Sequence, residues 1–393
     1  MAAMLFELLA ILCGTMGVMC VGPVRHKVFT WIKPRVGPRM RAVWLRLVVL
    51  FITHLPEAYS TSWQTMLLRS LILLHGFTIL SAIESRTRMG CSIYHCVCEG
   101  IHFAIKPAND EVDLKGNRSG ESVICEKLSR YNTGPNVLSI HGVLTKEMFM
   151  LSREDPAVVG RARAKIATGM FEANLKYIIM DIVEGGDLFH SLLNGELSSL
   201  TNVYMCCNQV SMGVQSLHRL GLFHRDLKPE NILKQIHNGQ VTNCFVCDFD
   251  TLLFATNLLH GTVYNDGTDT YMSPEQLAHG REIPVTMDFM ATDVWALGVI
   301  FFVLITQHHS IILPRNDEGA RCLELIRGGN ALDLIRELNC EGRFWGTTLS
   351  TVMAMLDPNP TTRATIDGVV TGFSLAPPVP PVPEAKGDMD GEG

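Results

Sequence analysis

The feature that most constrains this chain is one segment near its middle, residues 224–231, which reads His-Arg-Asp-Leu-Lys-Pro-Glu-Asn. A second acidic segment, Asp248-Phe249-Asp250, begins 17 residues after Asn231. Between the two lies Asn238-Gly239, a dipeptide typical of a tight β-hairpin turn. The sequence therefore predicts a polar loop, a hairpin and a second polar loop in close succession.

The first of these segments resembles the catalytic loop of protein kinases at all eight positions. The resemblance implies that Asp226 orients the attacking hydroxyl, that Lys228 lies near the γ-phosphate of ATP, and that Asn231 binds Mg²⁺. A lysine two residues after the aspartate is the serine/threonine form of this loop. By the same resemblance, Asp248 is a second Mg²⁺ ligand. The expected fold is the bilobal α+β kinase fold, with a β-rich small lobe and an α-rich large lobe.

Further segments follow in the order that the resemblance requires. Gly267 to Glu275 resembles the end of the activation segment, and residues 293–299 resemble the buried helix that anchors the catalytic loop. Arg363, which follows Asp357-Pro358, matches the residue expected to pair with Glu275. The resemblance implies a structural pair rather than a catalytic one.

The nucleotide site is expected upstream of these motifs. Residues 177–189 resemble a buried strand, a hinge and a helix start, which makes Met180 the gatekeeper. The backbone of Asp181 and Val183 would contact adenine, and Asp187 would contact the ribose. The resemblance thus places the hinge between the lobes here.

A segment ahead of all other motifs, Phe103-Ala104-Ile105-Lys106, resembles the strand that carries the ATP lysine, so Lys106 is expected on the α- and β-phosphates. Ile93 would lie above the adenine, Ala104 beside it and Leu233 below it. The glutamate partner of Lys106 has two candidates. We favour Glu126, which lies 20 residues after Lys106, because Glu121 follows Gly120 and is better explained as a first-turn acid of the helix.

Two departures from the kinase pattern are visible. Arg86, Arg88 and Cys91 stand where the glycines of the phosphate loop belong, and only Gly90 remains, out of register. Glycines allow backbone amides to approach phosphates without an intervening Cβ. Arginine side chains could replace those amides, or could simply be solvated. The second departure is Asp250, which stands in place of a glycine and predicts a less mobile activation segment.

The combination of a kinase without a Gly-rich loop and a signal-like N-terminus resembles the rhoptry-kinase superfamily of coccidian parasites, and within it the with-no-Gly-loop kinases. This resemblance implies an active kinase that is delivered through secretory organelles (rhoptry or dense-granule type) to the vacuole or host cell and acts on membrane-associated secreted proteins. Because many members of that superfamily are inactive, a pseudokinase scaffold that binds partner proteins is the alternative.

Outside the kinase motifs, residues 42–55 form an apolar run that follows a basic stretch and precedes a small-x-small site at Ala58 and Ser60. We interpret residues 1–60 as a targeting region, with translation beginning at Met40, and the chain as secreted. Residues 61–83 form an apolar extension, whose stretch 66–80 is either a helix on a membrane surface or a helix packed on the domain. The kinase domain is expected over 84–373, with lobes at about 84–180 and 185–373. A disordered tail rich in Pro and Gly is expected over 374–393.

Composition excludes other classes of protein. Lys and Arg total 33 and Asp and Glu total 39, a net charge of −6, so no nucleic-acid partner is expected. Hydrophobic residues make up 47% of the chain, which rules out a largely disordered protein. Of the 12 cysteines, Cys322 and Cys340 could form a disulfide in an oxidising compartment, whereas Cys244 and Cys247 are expected to be buried as small hydrophobic residues.

Overall fold

The fold is taken from a computed structural model, which describes Leu68, Ile72 and residues 76–83, 93–110, 120–144, 152–154, 176–258, 262–313, 316–344 and 346–374. Several sequence predictions lie outside these residues. They are the targeting region with its start at Met40, the replaced glycine loop with Arg86, Arg88, Gly90 and Cys91, and the tail beyond Ser374.

The small lobe is built on a six-stranded sheet with the order β4-β6-β3-β2-β1-β5. The strands are β1 (Phe77–Ile83), β2 (Ile93–Cys98), β3 (Ile101–Pro107), β4 (Ile140–Leu144), β5 (Ser152–Glu154) and β6 (Tyr177–Met180). All neighbours pair antiparallel except β1 and β5, which pair parallel. Helix α1 (Glu121–Leu128) packs beside β4 through Ile124, Cys125 and Leu128.

Strand β1 corrects the predicted N-terminal boundary of the domain. It lies within the segment 61–83, which the sequence predicts as an extension, yet it pairs with β2 from Thr78 to Ile83. Phe77 and Ile79 alternate into the core, as expected of a half-buried strand. The helix predicted over 66–80, whether on a membrane surface or packed on the domain, is therefore wrong from Phe77 onward, because that stretch is sheet. Upstream of it, Leu68 and Ile72 are helical and buried.

The large lobe is mainly helical. Its helices are α2 (Leu188–Leu193), α3 (Leu200–Arg219), α4 (Pro274–His279), α5 (Phe289–Thr306), α6 (Asp317–Arg327), α7 (Ala331–Glu337), α8 (Thr348–Met355) and α9 (Ile366–Ser374). Three short strand pairs accompany them: β7 (Leu222–Phe223) with β10 (Leu253–Phe254), β8 (Ile232–His237) with β9 (Gln240–Val246), and β11 (Thr262–Tyr264) with β12 (Glu282–Pro284). The hairpin predicted at Asn238-Gly239 is confirmed, since that turn joins β8 and β9 and both of its residues have positive φ.

Helix α5 is the centre of the large lobe. It is apolar all round, a pattern typical of a helix surrounded by protein. It is long and apolar enough to cross a membrane, but 89% of it is buried within the fold. Helices α3 and α8 pack against it, and α5 therefore provides a rigid base for the loops that carry the catalytic residues.

The described cysteines are all free thiols in buried positions. Cys322 and Cys340 thus form no disulfide with each other, although an oxidising compartment would have allowed one. Cys244 lies in strand β9 and Cys247 directly follows it. A hydrogen bond with Cys206, together with burial, raises the pKa of Cys244, and burial raises the pKa of Cys247. Their predicted role as small buried residues is confirmed.

Candidate active site

The catalytic loop is held in place by one buried carboxylate. Asp293, in the second turn of α5, accepts hydrogen bonds from the backbone N–H of His224 (2.9 Å) and Arg225 (2.8 Å). Its Oδ2 also lies 2.9 Å from Nε2 of His218. Burial opposes the charge on Asp293, but His218 and the backbone donors hold the pKa of Asp293 below its ordinary value. The loop is thereby fixed even though Arg225 takes a left-handed φ of 70°.

Asp226 is buried between the loop and the end of the activation segment. Its Oδ1 accepts from the backbone N–H of Thr268 (2.9 Å) and from the Thr268 hydroxyl (2.7 Å), and its Oδ2 contacts Nζ of Lys228 at 2.5 Å. A carboxylate offers about four acceptor positions. Among the described residues these contacts fill three of them, so Oδ2 retains one position for an incoming hydroxyl.

Lys106 lies between two carboxylates. Its Nζ is 2.8 Å from Oε1 of Glu121 and 2.5 Å from Oδ1 of Asp248. Burial disfavours the ammonium, but the two carboxylates outweigh this and raise the pKa of Lys106 above its ordinary value. Burial likewise opposes the charge on Asp248, yet contact with Lys106 lowers the pKa of Asp248 overall. The lysine from β3 and the aspartate after β9 therefore face each other as a charged pair.

The prediction of Glu126 as the partner of Lys106 is wrong, and Glu121 takes that role. Glu121 opens α1, and its second oxygen accepts from the backbone N–H of Asn109 at 2.8 Å. It is thus both the first-turn acid of α1 and the partner of Lys106, so the two roles are not exclusive. Residues five apart on a helix point about 140° from each other. Glu126 accordingly faces away from Lys106, and its Oε1 lies 3.7 Å from Nη2 of Arg130.

The two predicted metal ligands, Asn231 and Asp248, are brought close by a backbone hydrogen bond between their segments. The N–H of Cys247, which precedes Asp248, donates to the carbonyl of Asn231 at 2.9 Å. Nδ2 of Asn231 donates to the carbonyl of Asp226 at 2.8 Å, so Oδ1 of the same amide points away from the Asp226 carbonyl. A carboxylate and an amide oxygen are the hard ligands that Mg²⁺ prefers. Asn231 and Asp248 therefore fit a magnesium site.

The segment that replaces the usual metal-binding triplet is well accommodated. Asp248 takes a φ of 64°, whereas Asp250 is not among the described residues with positive φ. An aspartate in place of glycine at Asp250 is thus tolerated without left-handed backbone strain. Phe249 is buried with its ring 5.9 Å from the ring of His224, which ties the triplet to the catalytic loop.

The residues predicted to surround the adenine come from both lobes. Ala104 on β3 pairs directly with Met180 on β6, and both are buried. Ile93 and Leu233, predicted to lie above and below the adenine, are partly buried and pack against the core, as does Val183, whose backbone is predicted to contact the adenine. The structure thus places Ala104 beside Met180, whereas the positions of Ile93 above an adenine and Leu233 below it stay predictions.

The two acidic residues predicted to contact the nucleotide, Asp181 through its backbone and Asp187 through the ribose, have further partners in the fold. The backbone N–H of Asp181 donates to the carbonyl of Ser139, and its carboxylate lies 2.5 Å from Nε2 of His141. Asp187 caps α2 by accepting from the backbone N–H of His190 at 2.8 Å. The prediction that Asp187 contacts a ribose therefore stays a prediction, made for a residue that also fixes the start of a helix.

No sequence motif points to Lys234, a lysine that is only 1% exposed. Its Nζ donates to the carbonyl of Gly185 at 2.6 Å and contacts Oε2 of Glu196 at 3.0 Å. A Cβ on Gly185 would lie 2.0 Å from the Lys234 carbonyl, so only glycine fits there. Lys234 thus fastens the hinge to the strand that carries Leu233. The available sequence signal is that Lys234 lies two residues after Ile232, so both side chains occupy the same buried face of β8.

The end of the activation segment is fastened to the large lobe as predicted. Arg363 forms two parallel bonds to Glu275, Nη1–Oε1 at 2.6 Å and Nη2–Oε2 at 2.9 Å. The guanidinium also lies over the ring of Trp295 at 5.0 Å. The predicted pair is confirmed, and its role is structural because Arg363 contacts Glu275, the Ala291 carbonyl and Trp295.

Comparison with known proteins agrees with this geometry. A family model for the protein kinase domain matches residues 90–372. The chain is similar to CBL-interacting protein kinase 9 of Oryza sativa subsp. japonica, with 32% identity over 195 residues that cover 48% of this chain and 38% of that protein. It is also similar to CBL-interacting serine/threonine-protein kinase 17 of Arabidopsis thaliana, with 31% identity over 196 residues that cover 49% of this chain and 41% of that protein. The chain spans about two fifths of the length of these curated relatives. By the extent of the family match, the chain belongs to the protein kinase family.

Proposed function

We propose that the chain is an active serine/threonine protein kinase that transfers the γ-phosphate of ATP to protein hydroxyls. One observation carries the proposal: the Glu121–Lys106–Asp248 contacts are formed while Asp226 is anchored by its own partners. Phosphoryl transfer depends on positioning and charge stabilisation, so a kinase needs both groups in place at once. A chain selected only as a binding scaffold has no need to keep them together.

The roles of the residues follow from their contacts. Asp226 offers a free acceptor position on Oδ2, which would orient the substrate hydroxyl and receive its proton. Lys228, 2.5 Å from that same oxygen, would balance the charge that develops nearby. Thr268 fixes the other oxygen and keeps the carboxylate from turning. Lys106 would hold the α- and β-phosphates when it exchanges part of its contact with Asp248 for them.

Magnesium would be held by Asp248 and Asn231. When bound, the ion neutralises phosphate charge and fixes the phosphate geometry. The chain contributes the lowered pKa of Asp248, which keeps that ligand ionised, and the bond from Asn231 to the Asp226 carbonyl, which keeps the amide oxygen aimed at the site.

The substrate class and the route of the protein are part of the proposal. Lys228 in the loop supports serine and threonine hydroxyls as acceptors. The signal-like residues 42–60 and the replaced glycines at Arg86, Arg88 and Cys91 support a secreted kinase of the with-no-Gly-loop type, acting on membrane-associated secreted proteins. N-terminal sequencing of the mature protein tests the route: a start near Thr61 supports secretion, and an intact Met1 overturns it.

Transfer of ³²P from labelled ATP to a generic basic protein, followed by phosphoamino-acid analysis, tests the activity. The wild type should label serine and threonine in a Mg²⁺-dependent manner, and Asp226→Ala should not. Equal background labelling by both proteins would favour a pseudokinase scaffold. Labelling of tyrosine alone would overturn the substrate class but not the activity.

A further inference from the structure

A cluster of metal-ligating side chains lies in the large lobe at the start of α6. Nε2 of His308, Oε1 of Glu318 and Sγ of Cys322 form a triangle. The sides are 3.4 Å from nitrogen to sulfur, 3.5 Å from sulfur to oxygen and 3.8 Å from nitrogen to oxygen. None of these residues belongs to the kinase motifs, and phosphoryl transfer uses none of them.

The fold builds this cluster through a close approach of helix and loop. Gly319 rests against the loop that follows α5, where a Cβ would lie 2.1 Å from the carbonyl oxygen of Ser310. The side chain of Asn316 caps the helix by accepting from the backbone N–H of Glu318 and Gly319. Glu318 and Cys322 are four residues apart, so they share one face of α6. That face meets His308 because Gly319 permits the contact.

The triangle matches the spacing that zinc requires. Zinc binds nitrogen and oxygen at about 2.0–2.2 Å and thiolate sulfur at about 2.3 Å in tetrahedral sites. Tetrahedral angles at these lengths give ligand–ligand distances of roughly 3.3–3.6 Å. The three observed sides need shifts of only a few tenths of an ångström. We propose that His308, Glu318 and Cys322 form a zinc site in the large lobe, separate from the magnesium site of the kinase reaction.

The ligand chemistry selects the metal. A mixed set of imidazole, thiolate and carboxylate suits Zn²⁺ and disfavours Mg²⁺ and Ca²⁺, which take oxygen ligands. The thiolate and the carboxylate together balance the charge of Zn²⁺. Arg321 contacts both oxygens of Glu318 at 3.4 Å and is itself held by Glu337 at 2.5 Å. Such an outer partner orients a ligand carboxylate.

Two features set the fourth position and the accessibility of the site. The Ser310 hydroxyl lies 2.7 Å from Nε2 of His308, so a metal must displace that hydrogen bond to reach the nitrogen lone pair. Ser310 or water would then complete the tetrahedron. The side chain of Glu318 is 47% exposed and that of His308 22% exposed, which leaves an entry path from solvent, whereas Cys322 is buried.

Zinc at this site would steady a helix that supports the activation segment. At the other end of α6, Nη2 of Arg327 donates to the carbonyl of Asp269, next to Thr268. The metal would fix the first turn of α6 to the loop after α5, while Arg327 links its last turn to the residues beside the catalytic aspartate. The site is therefore structural, and its occupancy should register in the stability of the large lobe.

Metal analysis of the full-length chain tests the proposal. Protein stripped with a chelator and incubated with zinc should retain about one Zn²⁺ more than Cys322→Ser treated in the same way. Cys340→Ser is the matched control, because that thiol is also buried and free but lies outside the cluster. Since even outer-shell partners contribute about 10–100-fold to metal affinity, Cys322→Ser should weaken Zn²⁺ binding at least 100-fold. Cys340→Ser should leave the affinity unchanged.

Two further readouts keep the test independent of misfolding. Cobalt substitution should give a thiolate-to-cobalt charge-transfer band that Cys322→Ser abolishes. Zinc at about 100 times its dissociation constant should raise the melting temperature of the wild type by about 5 °C or more, and should not raise that of the folded variant His308→Ala. Equal zinc binding by Cys322→Ser and Cys340→Ser would overturn the proposal, as would the lack of a cobalt–thiolate band in the wild type.

Discussion

The pairing of Lys106 with Glu121 gives the sharpest mutational contrast in the molecule, because Glu126 lies on the same helix and supplies a matched control. Glu121→Gln keeps the size of the side chain and its bond from the Asn109 N–H, but it replaces a charged partner of Lys106 with a neutral one. A hydrogen bond to a charged group contributes about 1.5–3 kcal/mol. Lys106 keeps Asp248 as a partner, so the lysine stays charged but loses one of its two anchors.

The loss of the charged bond between Glu121 and Lys106 should appear directly in kcat/KM for ATP. At about 1.36 kcal/mol per factor of ten, Glu121→Gln should lower kcat/KM for ATP by roughly 10- to 150-fold. Glu126→Gln, whose carboxylate lies 3.7 Å from the exposed Arg130, should change it by less than about threefold. Steady-state kinetics with ATP as the varied substrate measure both, and circular dichroism confirms that both variants are folded. A loss in Glu126→Gln equal to or larger than that in Glu121→Gln would refute the assignment.

Four further changes probe the frame around the site. Asp293→Asn should cost about 3–5 kcal/mol of unfolding free energy in urea at neutral pH, because it breaks a buried charged network. The pKa of Asp293 is depressed in the fold, so the stabilisation by its ionised carboxylate is present above pH 3.8, its ordinary pKa, and is lost as the pH falls through the lower pKa of the folded state. If the unfolding free energy of Asp293→Asn fell with acid as steeply as that of the wild type, this role would be contradicted. Thr268→Val should lower kcat about 10-fold or more through loss of the bond to Asp226, while Thr268→Ser should keep most of the rate; equal rates in both variants would contradict that role. Arg363→Lys should reduce the urea midpoint, because an ammonium cannot reproduce the two parallel bonds; an unchanged midpoint would contradict this. Lys234→Met should raise KM for ATP more than it lowers kcat, because it releases Gly185 of the hinge; a change in kcat alone would show that Lys234 acts elsewhere.

The parts of the site that the sequence predicts well are those whose function is local. Asp226, Lys228 and Asn231 lie within six residues of one another, so their order along the chain nearly determines their order in space. Asp248 follows through a hairpin whose turn is readable from Asn238-Gly239. These residues converge in the fold as expected.

The parts that it predicts poorly depend on where a helix begins and on contacts across the chain. The sequence does not identify the partner of Lys106, because the spacing of 20 residues to Glu126 carries no information about helix phase, and α1 begins at Glu121. The sequence does not identify strand β1 either, because an apolar run as short as Phe77–Ile83 fits a strand or a buried helix equally well.

Long-range contacts account for the remaining features. Lys234 gains its significance from Gly185 and Glu196, which lie about 40–50 residues away along the chain. The cluster of His308, Glu318 and Cys322 depends on Gly319 allowing a helix to rest on a carbonyl. Neither arrangement has a spacing motif, so only the three-dimensional structure brings these groups together.

The most direct test of the central claim separates nucleotide binding from chemistry in a single variant. Asp226→Asn keeps the shape of the side chain and leaves Lys106, Asn231 and Asp248 untouched. It should bind Mg-ATP as tightly as the wild type, yet it should transfer phosphate about 10²–10⁴-fold more slowly in a single turnover, since the orienting carboxylate is lost. Equal transfer rates for the two proteins would contradict the account, and so would a wild type that binds ATP without transferring phosphate.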